Sequence, residues 1–211
     1  MSYCYYFYNA ALLADTVDLG LPSSTLWAKC NIGAEKETDY GDYFMWGSTT
    51  PNTNTPCDWT HAPFNGGASR FDRDYFNAHK AEWLTEDGNL KPQYDAAHAI
   101  MGGNWRMPTK EDFEELLQHT TYKWVTNYKD SGVNGRLFTS KANGKKLFFP
   151  AEGYRNGSSF FYQGDDGYVW SPLLYTDSPR GAWRLYFDSS NCSMSNGLYR
   201  YYGFPVRGVL H

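Results

Sequence analysis

The stretch GGNWRMPTKEDFEELL, at residues 102–117, carries the clearest structural signal in the chain. The Thr109 side chain can accept a hydrogen bond from a free amide of a first helical turn, and Asp112 stands at the reciprocal position of a capping box. Phe113, Leu116 and Leu117 then form one apolar side of the helix. The stretch predicts an amphipathic helix of about three turns that packs on a core.

A second helix is indicated by YDAAHAIMGG, at residues 94–103. Asp95 would cap this helix, and Ala97, Ile100 and Met101 would form its apolar stripe. The glycine pair that follows would end it. These are the two main helices that the sequence predicts.

Most other segments predict short strands, because aromatic or β-branched runs alternate with turn residues. We expect strands at residues 16–19 and 25–32, and a hairpin of residues 136–140 and 146–149 around an Asn-Gly turn. Residues 49–90 are rich in Asn, Thr, Pro, Asp and Gly, which predicts a long irregular insertion. The sequence therefore predicts an α+β fold with many short antiparallel strands.

The length of the chain and the absence of a linker predict a single domain. The chain has 211 residues and no linker-like stretch, so we expect an N-terminal arm at residues 1–16 and a single domain at residues 17–211. The net charge of -4 comes without a basic stripe, and no nucleic-acid partner is expected. The N-terminus has neither a basic region nor a long apolar run, so we expect no signal peptide and no membrane span.

No residue pattern predicts catalysis or a metal site. Catalysis needs a nucleophile, a base and a group that orients them, and the sequence does not assemble such a set. The acidic pairs Asp72 with Asp74 and Asp165 with Asp166 do not match the ligand spacing of a calcium loop, and we interpret them as solvated turns. The four cysteines are scattered and indicate free or buried thiols. We therefore expect a protein that is not an enzyme and holds no cofactor and no metal.

The C-terminal stretch AWRLYFDSSNCSMSNGLYRYYGFPVRGVLH, at residues 182–211, holds many tyrosines in a chain that is already 18% aromatic. Side chains alternate between the two faces of a strand. One face is predicted to pack on the core through Trp183, Leu185 and Phe187. The other is predicted to face solvent or a ligand, together with tyrosines further along, through Arg184, Tyr186, Asp188, Tyr199, Tyr201 and Tyr202. This mixture of aromatic and charged groups is typical of a binding surface.

Several motifs, in order from residue 17 to residue 209, resemble the C-type-lectin-like "major paralogous" domain that is common in gut Bacteroidetes. The string G-x-W-R-M-P-T-x-x-E/D-F is the most distinctive of them. The matching stretches are VDLGLPSSTLWAKCNIGAEKETDYGDYFMWG, GGNWRMPTKEDFEELL, FFPAEGYRNGS, GYVWSPLLYTDSPRGAWRLYFDSSN and YRYYGFPVRGV. The resemblance implies a C-type-lectin-like fold.

Within that family, the C-terminal stretch at residues 182–211, which we call the tail, resembles the variable region of the target proteins of diversity-generating retroelements. These target proteins include proteins of gut phages. In such proteins a reverse transcriptase mutates adenines of a template repeat, and the scaffold displays the varied side chains. The resemblance implies a variable region at about residues 167–207. It implies a ligand-binding face formed by Val169, Leu174, Tyr175, Arg184, Tyr186, Asp188, Leu198, Tyr199, Tyr201 and Tyr202.

The genetic pattern agrees with this assignment. Family templates are rich in AAC codons, and every residue of the implied face can be reached from AAC by changing adenines alone. Trp183 and Met194 cannot. Where the family has Trp-Ser-Ser, this chain has Trp170-Ser171-Pro172, so the loop that follows is expected to take a different path.

The implied function is display of a diversified surface that recognises a protein or glycan ligand, for receptor binding or adhesion. The implied location is a virion, or a cell surface reached without a signal peptide. One alternative is a surface or adhesive domain of the same fold without diversification. Another is an oxidase like the formylglycine-generating enzymes, whose chemistry uses a pair of cysteines, whereas only Cys192 lies in the last third of this chain.

Overall fold

The computed structural model describes residues 16–211. Strands make up 31% and helices 17% of the structure, in small antiparallel sheets, which agrees with the predicted α+β class. The predicted N-terminal arm lies outside the described residues, except for Thr16, which begins the first strand. None of the helices in residues 16–211 has the length and apolar character needed to cross a bilayer.

The described part of the chain contains three α-helices, one more than the two main helices predicted. They are α1 (Arg73–Trp83), α2 (Ala96–Met101) and α3 (Lys110–His119). The capping box of α3 is confirmed, because Thr109 accepts from the Asp112 amide while Asp112 accepts from the Thr109 amide. The Asp95 cap of α2 is also confirmed.

Two expectations about the helices are wrong. Ile100 was placed on the buried stripe of α2, but its side chain is exposed because the short helix buries only Ala96 and Ala97. The insertion, predicted to be irregular, contains α1. Its signal was Asp72, which caps the helix by accepting from the Tyr75 amide and which we had interpreted as part of a solvated turn.

The described residues also form eleven short strands, two before α1 and nine after α3. They are β1 (Thr16–Asp18), β2 (Leu26–Ala28), β3 (Thr120–Val125), β4 (Gly135–Ser140), β5 (Lys146–Pro150), β6 (Tyr154–Asn156), β7 (Ser159–Phe161), β8 (Gly167–Leu174), β9 (Ala182–Phe187), β10 (Cys192–Ser195) and β11 (Val209–Leu210). The predicted β4–β5 hairpin is confirmed, and β1 and β2 are present but shorter than predicted.

The strands form four small antiparallel sheets. Their orders are β1-β2-β11, β3-β4-β5, β6-β7 and β10-β9-β8. The first sheet joins the two ends of the described chain, because Val209 of β11 pairs with Trp27 of β2. The last sheet includes β9 and β10, which belong to the C-terminal tail at residues 182–211.

The β8-β9-β10 sheet has an apolar core on each side. On one side Leu185 and Phe187 pack with Phe113 of α3. On the other side Trp170 packs against Phe204, with ring centroids 4.1 Å apart. Both sides of this sheet are therefore largely covered, which decides how much of the tail can face a ligand.

The predicted core set on β9 is confirmed for Leu185 and Phe187, which are fully buried. Trp183 is only half-buried. It lies at the edge of the same side, where the Lys110 Nζ atom is 4.9 Å from its ring centroid.

Candidate ligand-binding surface

Six aromatic side chains from two parts of the chain form one connected surface, which we call the aromatic face. Its members are Tyr154, Phe161, Tyr162, Tyr199, Tyr201 and Tyr202. Tyr202 joins the two parts, with its ring centroid 5.0 Å from that of Tyr154 and 4.6 Å from that of Tyr201. Phe161, Tyr162 and Tyr199 are 40%, 56% and 37% exposed.

The first part of the aromatic face comes from the β6–β7 hairpin. Tyr154 and Phe161 are directly opposite each other in this pair, and their rings stack with centroids 5.4 Å apart. Phe160 points to the other side of the hairpin, where its ring lies 5.1 Å from that of Tyr43. Two adjacent phenylalanines of similar exposure therefore lie on opposite sides, and only Phe161 belongs to the aromatic face.

Tyr162 follows the hairpin in a backbone conformation that is uncommon for a bulky residue. Its φ is 57°, in the left-handed region. The Tyr162 carbonyl accepts hydrogen bonds from the amides of Asp165 (3.1 Å) and Asp166 (3.0 Å), which fix the turn. Strained backbone of this kind persists where the surroundings enforce it and is concentrated at functional sites.

The second part of the aromatic face is held by Arg200, which lies between Tyr199 and Tyr201 in sequence. The Arg200 side chain is fully buried. Its guanidinium carbon lies 4.6–5.7 Å from four ring centroids, those of Phe76, Trp46, Phe71 and Trp59. Trp59 also contacts the rings of Tyr199 and Tyr201, at 5.9 and 5.1 Å.

Hydrogen bonds complete this arrangement. Arg200 Nε donates to the Pro179 carbonyl at 2.7 Å, and the Arg200 carbonyl accepts from the Trp46 amide at 3.0 Å. Burial lowers the pKa of Arg200 to about 9. The tail is thus fastened to the insertion and to two loops through one buried cation, while the neighbouring tyrosines remain at the surface.

One end of the aromatic face is acidic. Tyr168 of β8 donates its hydroxyl to Asp166 Oδ2 at 2.8 Å, and Tyr186 of β9 donates to Asp188 Oδ2 at 2.7 Å. The Tyr168 and Tyr186 rings are 5.3 Å apart, because the two residues are paired across the strands. Tyr168 also contacts Tyr154, with ring centroids 5.4 Å apart, so two carboxylates lie beside the aromatic face.

The two carboxylates have opposite pKa shifts. Burial raises the pKa of Asp166, the Tyr168 hydroxyl opposes this, and the charges of Asp188 and Asp165 raise it further. For Asp188, burial also raises the pKa, but hydrogen bonds from Tyr186 and from the 190–191 segment outweigh it and hold the pKa well below its ordinary value. The Asp188 carboxylate is thus stabilised by hydrogen-bond donors, whereas the Asp166 carboxylate is destabilised by the negative charges of Asp165 and Asp188.

The structure places the ten residues of the expected face in two groups. Tyr199 is exposed, and six more are partly exposed: Tyr175, Tyr186, Asp188, Leu198, Tyr201 and Tyr202. Of these, Tyr199, Tyr201 and Tyr202 belong to the aromatic face, and Tyr186 and Asp188 lie at its acidic end. Tyr175 instead packs edge-on against Trp183, with ring centroids 5.9 Å apart.

The other three residues of the expected face are buried, and we correct their placement. Val169 is 0% exposed because it lies beside Leu185 on the side of β8 that packs on α3. Leu174 is 6% exposed and belongs to the opposite core. Arg184 is 5% exposed, because its guanidinium lies over the rings of Tyr168 and Phe204, and this burial lowers its pKa to about 10.

Sequence reasoning missed the β6–β7 half of the aromatic face and the contribution of Trp59. The signal was the run Phe160-Phe161-Tyr162, three aromatics between Ser-Ser and Gln-Gly. An apolar run of this kind at a turn is expected to be functional when it is exposed.

Cys192, the cysteine weighed for oxidase chemistry, lies in β10 beside the core. Burial raises the pKa of its thiol to about 12. The reactive thiolate is therefore scarce at neutral pH.

Comparison of the chain with protein-family models gave no match, and neither did searches of curated proteins and of solved structures.

Because of the hydrogen bonds that Asp188 accepts, we expect part of the free energy of unfolding to depend on pH. Because the folded-state pKa lies below the ordinary value of 3.8, this component is fully present above that value and is lost as the pH falls further. We expect Asp188→Asn to lower the urea midpoint at pH 7 and to reduce the fall in midpoint between pH 7 and pH 3. The matched control is Glu82→Gln, on the exposed side of α1. Equal pH dependence in both variants and the wild type would contradict the prediction.

Proposed function

We propose that this chain is a ligand-binding display protein with a C-type-lectin-like fold, whose aromatic face recognises a protein or a glycan in receptor binding or adhesion. One observation carries the proposal. Of the six large apolar side chains exposed in residues 16–211, three lie on this face, and the others are Ile100, Tyr122 and Phe160. Contiguous exposed aromatic rings are unfavourable in water and are typical of interaction sites.

The scaffold supports this proposal in two ways. The sheet β1-β2-β11 closes the two ends of the described chain onto each other, and the tail lies on a sheet with a core on each side. These features agree with the motifs that resemble the C-type-lectin-like family. A rigid base of this kind keeps side chains in place before a ligand arrives, which reduces the entropic cost of binding.

Burial narrows the positions at which diversification is compatible with folding. Replacing a buried large apolar side chain by a small one costs about 2–5 kcal/mol, whereas surface changes usually cost about 0.5 kcal/mol or less. Val169, Leu174 and Arg184 are therefore assigned to the scaffold. The display positions that we propose are Tyr175, Tyr186, Leu198, Tyr199, Tyr201 and Tyr202. Asp188 is assigned to the scaffold as well, because it accepts hydrogen bonds from the Ser190 and Asn191 amides.

The binding role is tested with probes of both ligand classes. A displayed library of random peptides and a glycan array are screened on the immobilised wild-type protein, and the affinity of each isolated binder is then measured. We expect the double variant Phe161→Ser, Tyr199→Ser to bind at least about 10-fold more weakly, because aromatic anchors carry much of an interface's binding energy. Its thermal midpoint is measured in parallel.

The chain offers a matched control for that variant. Phe160→Ser, Tyr122→Ser removes one phenylalanine and one tyrosine of similar exposure, but neither belongs to the aromatic face. We expect this control to keep wild-type affinity. Equal losses in both variants, or the absence of any binder in both screens, would contradict the proposed function.

Diversification is tested separately at the gene. We expect a near-identical repeat of the tail's coding sequence close to a reverse-transcriptase gene, with differences only at template adenines. These differences should fall at the display positions and spare the codons of Trp183 and Met194. A genome without such a repeat would leave a binding domain that is not diversified.

A further inference from the structure

The acidic end of the aromatic face is short of positive charge. Five ion pairs are present in residues 16–211, and none of them involves Asp165, Asp166 or Asp188. Two buried arginines lie nearby, but neither forms an ion pair with these carboxylates. The Arg184 guanidinium carbon is 5.8 Å from the Tyr168 ring centroid, and Arg136 Nη2 donates to the main-chain carbonyls of Asp188 and Asn191. Asp166 comes just before β8 and Asp188 just after β9, at the paired ends of these two strands, and neither carboxylate is in an ion pair among the described residues.

Asp166 and Asp188 differ in what they can still accept. Asp188 already accepts hydrogen bonds from Tyr186, from the amides of Ser190 and Asn191, and from the Asn191 side chain. Asp166 accepts from the Tyr168 hydroxyl through Oδ2. Asp166 Oδ1 accepts no side-chain or backbone hydrogen bond among the described residues. Asp166 is thus the carboxylate with capacity for a ligand.

Aromatic residues lie next to Asp166. The Asp166 amide donates to the Tyr162 carbonyl at 3.0 Å, and Tyr168, whose hydroxyl donates to Asp166, has its ring centroid 5.4 Å from that of Tyr154. The ring contacts agree, since the Tyr154 centroid is 5.9 Å from that of Tyr162 and 5.0 Å from that of Tyr202. A carboxylate beside aromatic rings is a suitable site for a planar cation such as a guanidinium group. Such a cation can form a charge-assisted hydrogen bond with the carboxylate and cation–π contacts with the rings at the same time.

We propose that Asp166, Tyr154 and Tyr162 receive an arginine or lysine side chain of a protein ligand. This inference rests on the proposed function and specifies its partner. A neutral glycan can donate hydroxyl groups to Asp166, but it supplies no positive charge to offset the repulsion among Asp165, Asp166 and Asp188. The apolar Phe161 and Tyr199 then contact neighbouring side chains of the same protein segment.

The test uses the displayed library of random linear peptides, panned on the full chain and on Asp166→Asn. The asparagine side chain keeps an acceptor for the Tyr168 hydroxyl while it removes the charge, and the thermal midpoint checks its folding. Glu86→Gln is the matched control, because it makes the same charge change at an exposed position beyond α1. We expect peptides selected on the wild type and on the control to be enriched in arginine or lysine, and those selected on Asp166→Asn not to be.

A second measurement isolates the cation. A selected peptide is compared with the same peptide carrying citrulline, the neutral isostere, in place of arginine. We expect citrulline to weaken binding to the wild type by about 10-fold, the value of one charge-assisted hydrogen bond, and to have a much smaller effect on Asp166→Asn.

The outcomes separate the two proposals. Peptides that depend on Phe161 and Tyr199 but show no cationic enrichment, or no citrulline effect, would overturn the cation site and leave the binding function standing. A neutral glycan bound through the aromatic face, without any peptide, would do the same. No binder of either class would overturn both.

Discussion

Arg200 is a buried cation between two surface tyrosines, and the position of the tail depends on it. Removing a guanidinium from water is costly unless donors and charge are compensated. Here carbonyls at 2.7 and 3.4 Å and four aromatic rings from the loop at Trp46 and the insertion compensate part of this cost, while Arg200 Nη2 is buried without a hydrogen-bond partner among the described residues. Arginine suits this environment better than lysine, because its planar, weakly hydrated group stacks on rings. The same contacts fix the backbone from which Tyr199 and Tyr201 project.

This arrangement explains how a tail rich in surface aromatics can remain ordered. The Tyr199, Tyr201 and Tyr202 rings contact one another, and the first two also contact Trp59. Arg200, which lies between them in sequence, points inward. The β6–β7 hairpin adds Tyr154 and Phe161 from a separate part of the chain. The aromatic face is therefore a product of tertiary structure, and its two halves are about 40 residues apart in sequence, which is far beyond the reach of any local pattern.

Local signals predicted the elements that local chemistry determines. The Thr109 capping box, the Asp95 cap and the β4–β5 hairpin were all found at the expected residues. Alternation along β9 correctly assigned Leu185 and Phe187 to the core. It could not show that a second core covers the opposite side of the sheet, and Arg184 was therefore expected at the surface although it is buried.

The errors at Val169 and α1 have a similar origin. Val169 was expected on the ligand-binding face because the resemblance places it in the variable region and its codon can be reached from AAC. Neither argument carries information about which side of β8 packs on α3. Helix α1 lies in a segment whose composition indicates loops, and its apolar residues Phe76 and Trp83 become informative only once they are seen to pack against the core. Tertiary packing overrides composition in both places.

We infer that one buried arginine holds a surface that can vary around it. Saturation mutagenesis of residues 198–202 in a displayed library, with resistance to protease as the measure of folding, decides whether this is so. We expect positions 199, 201 and 202 to accept most residues and position 200 to accept essentially only arginine. Equal tolerance at position 200, or intolerance at the three tyrosines, would contradict it.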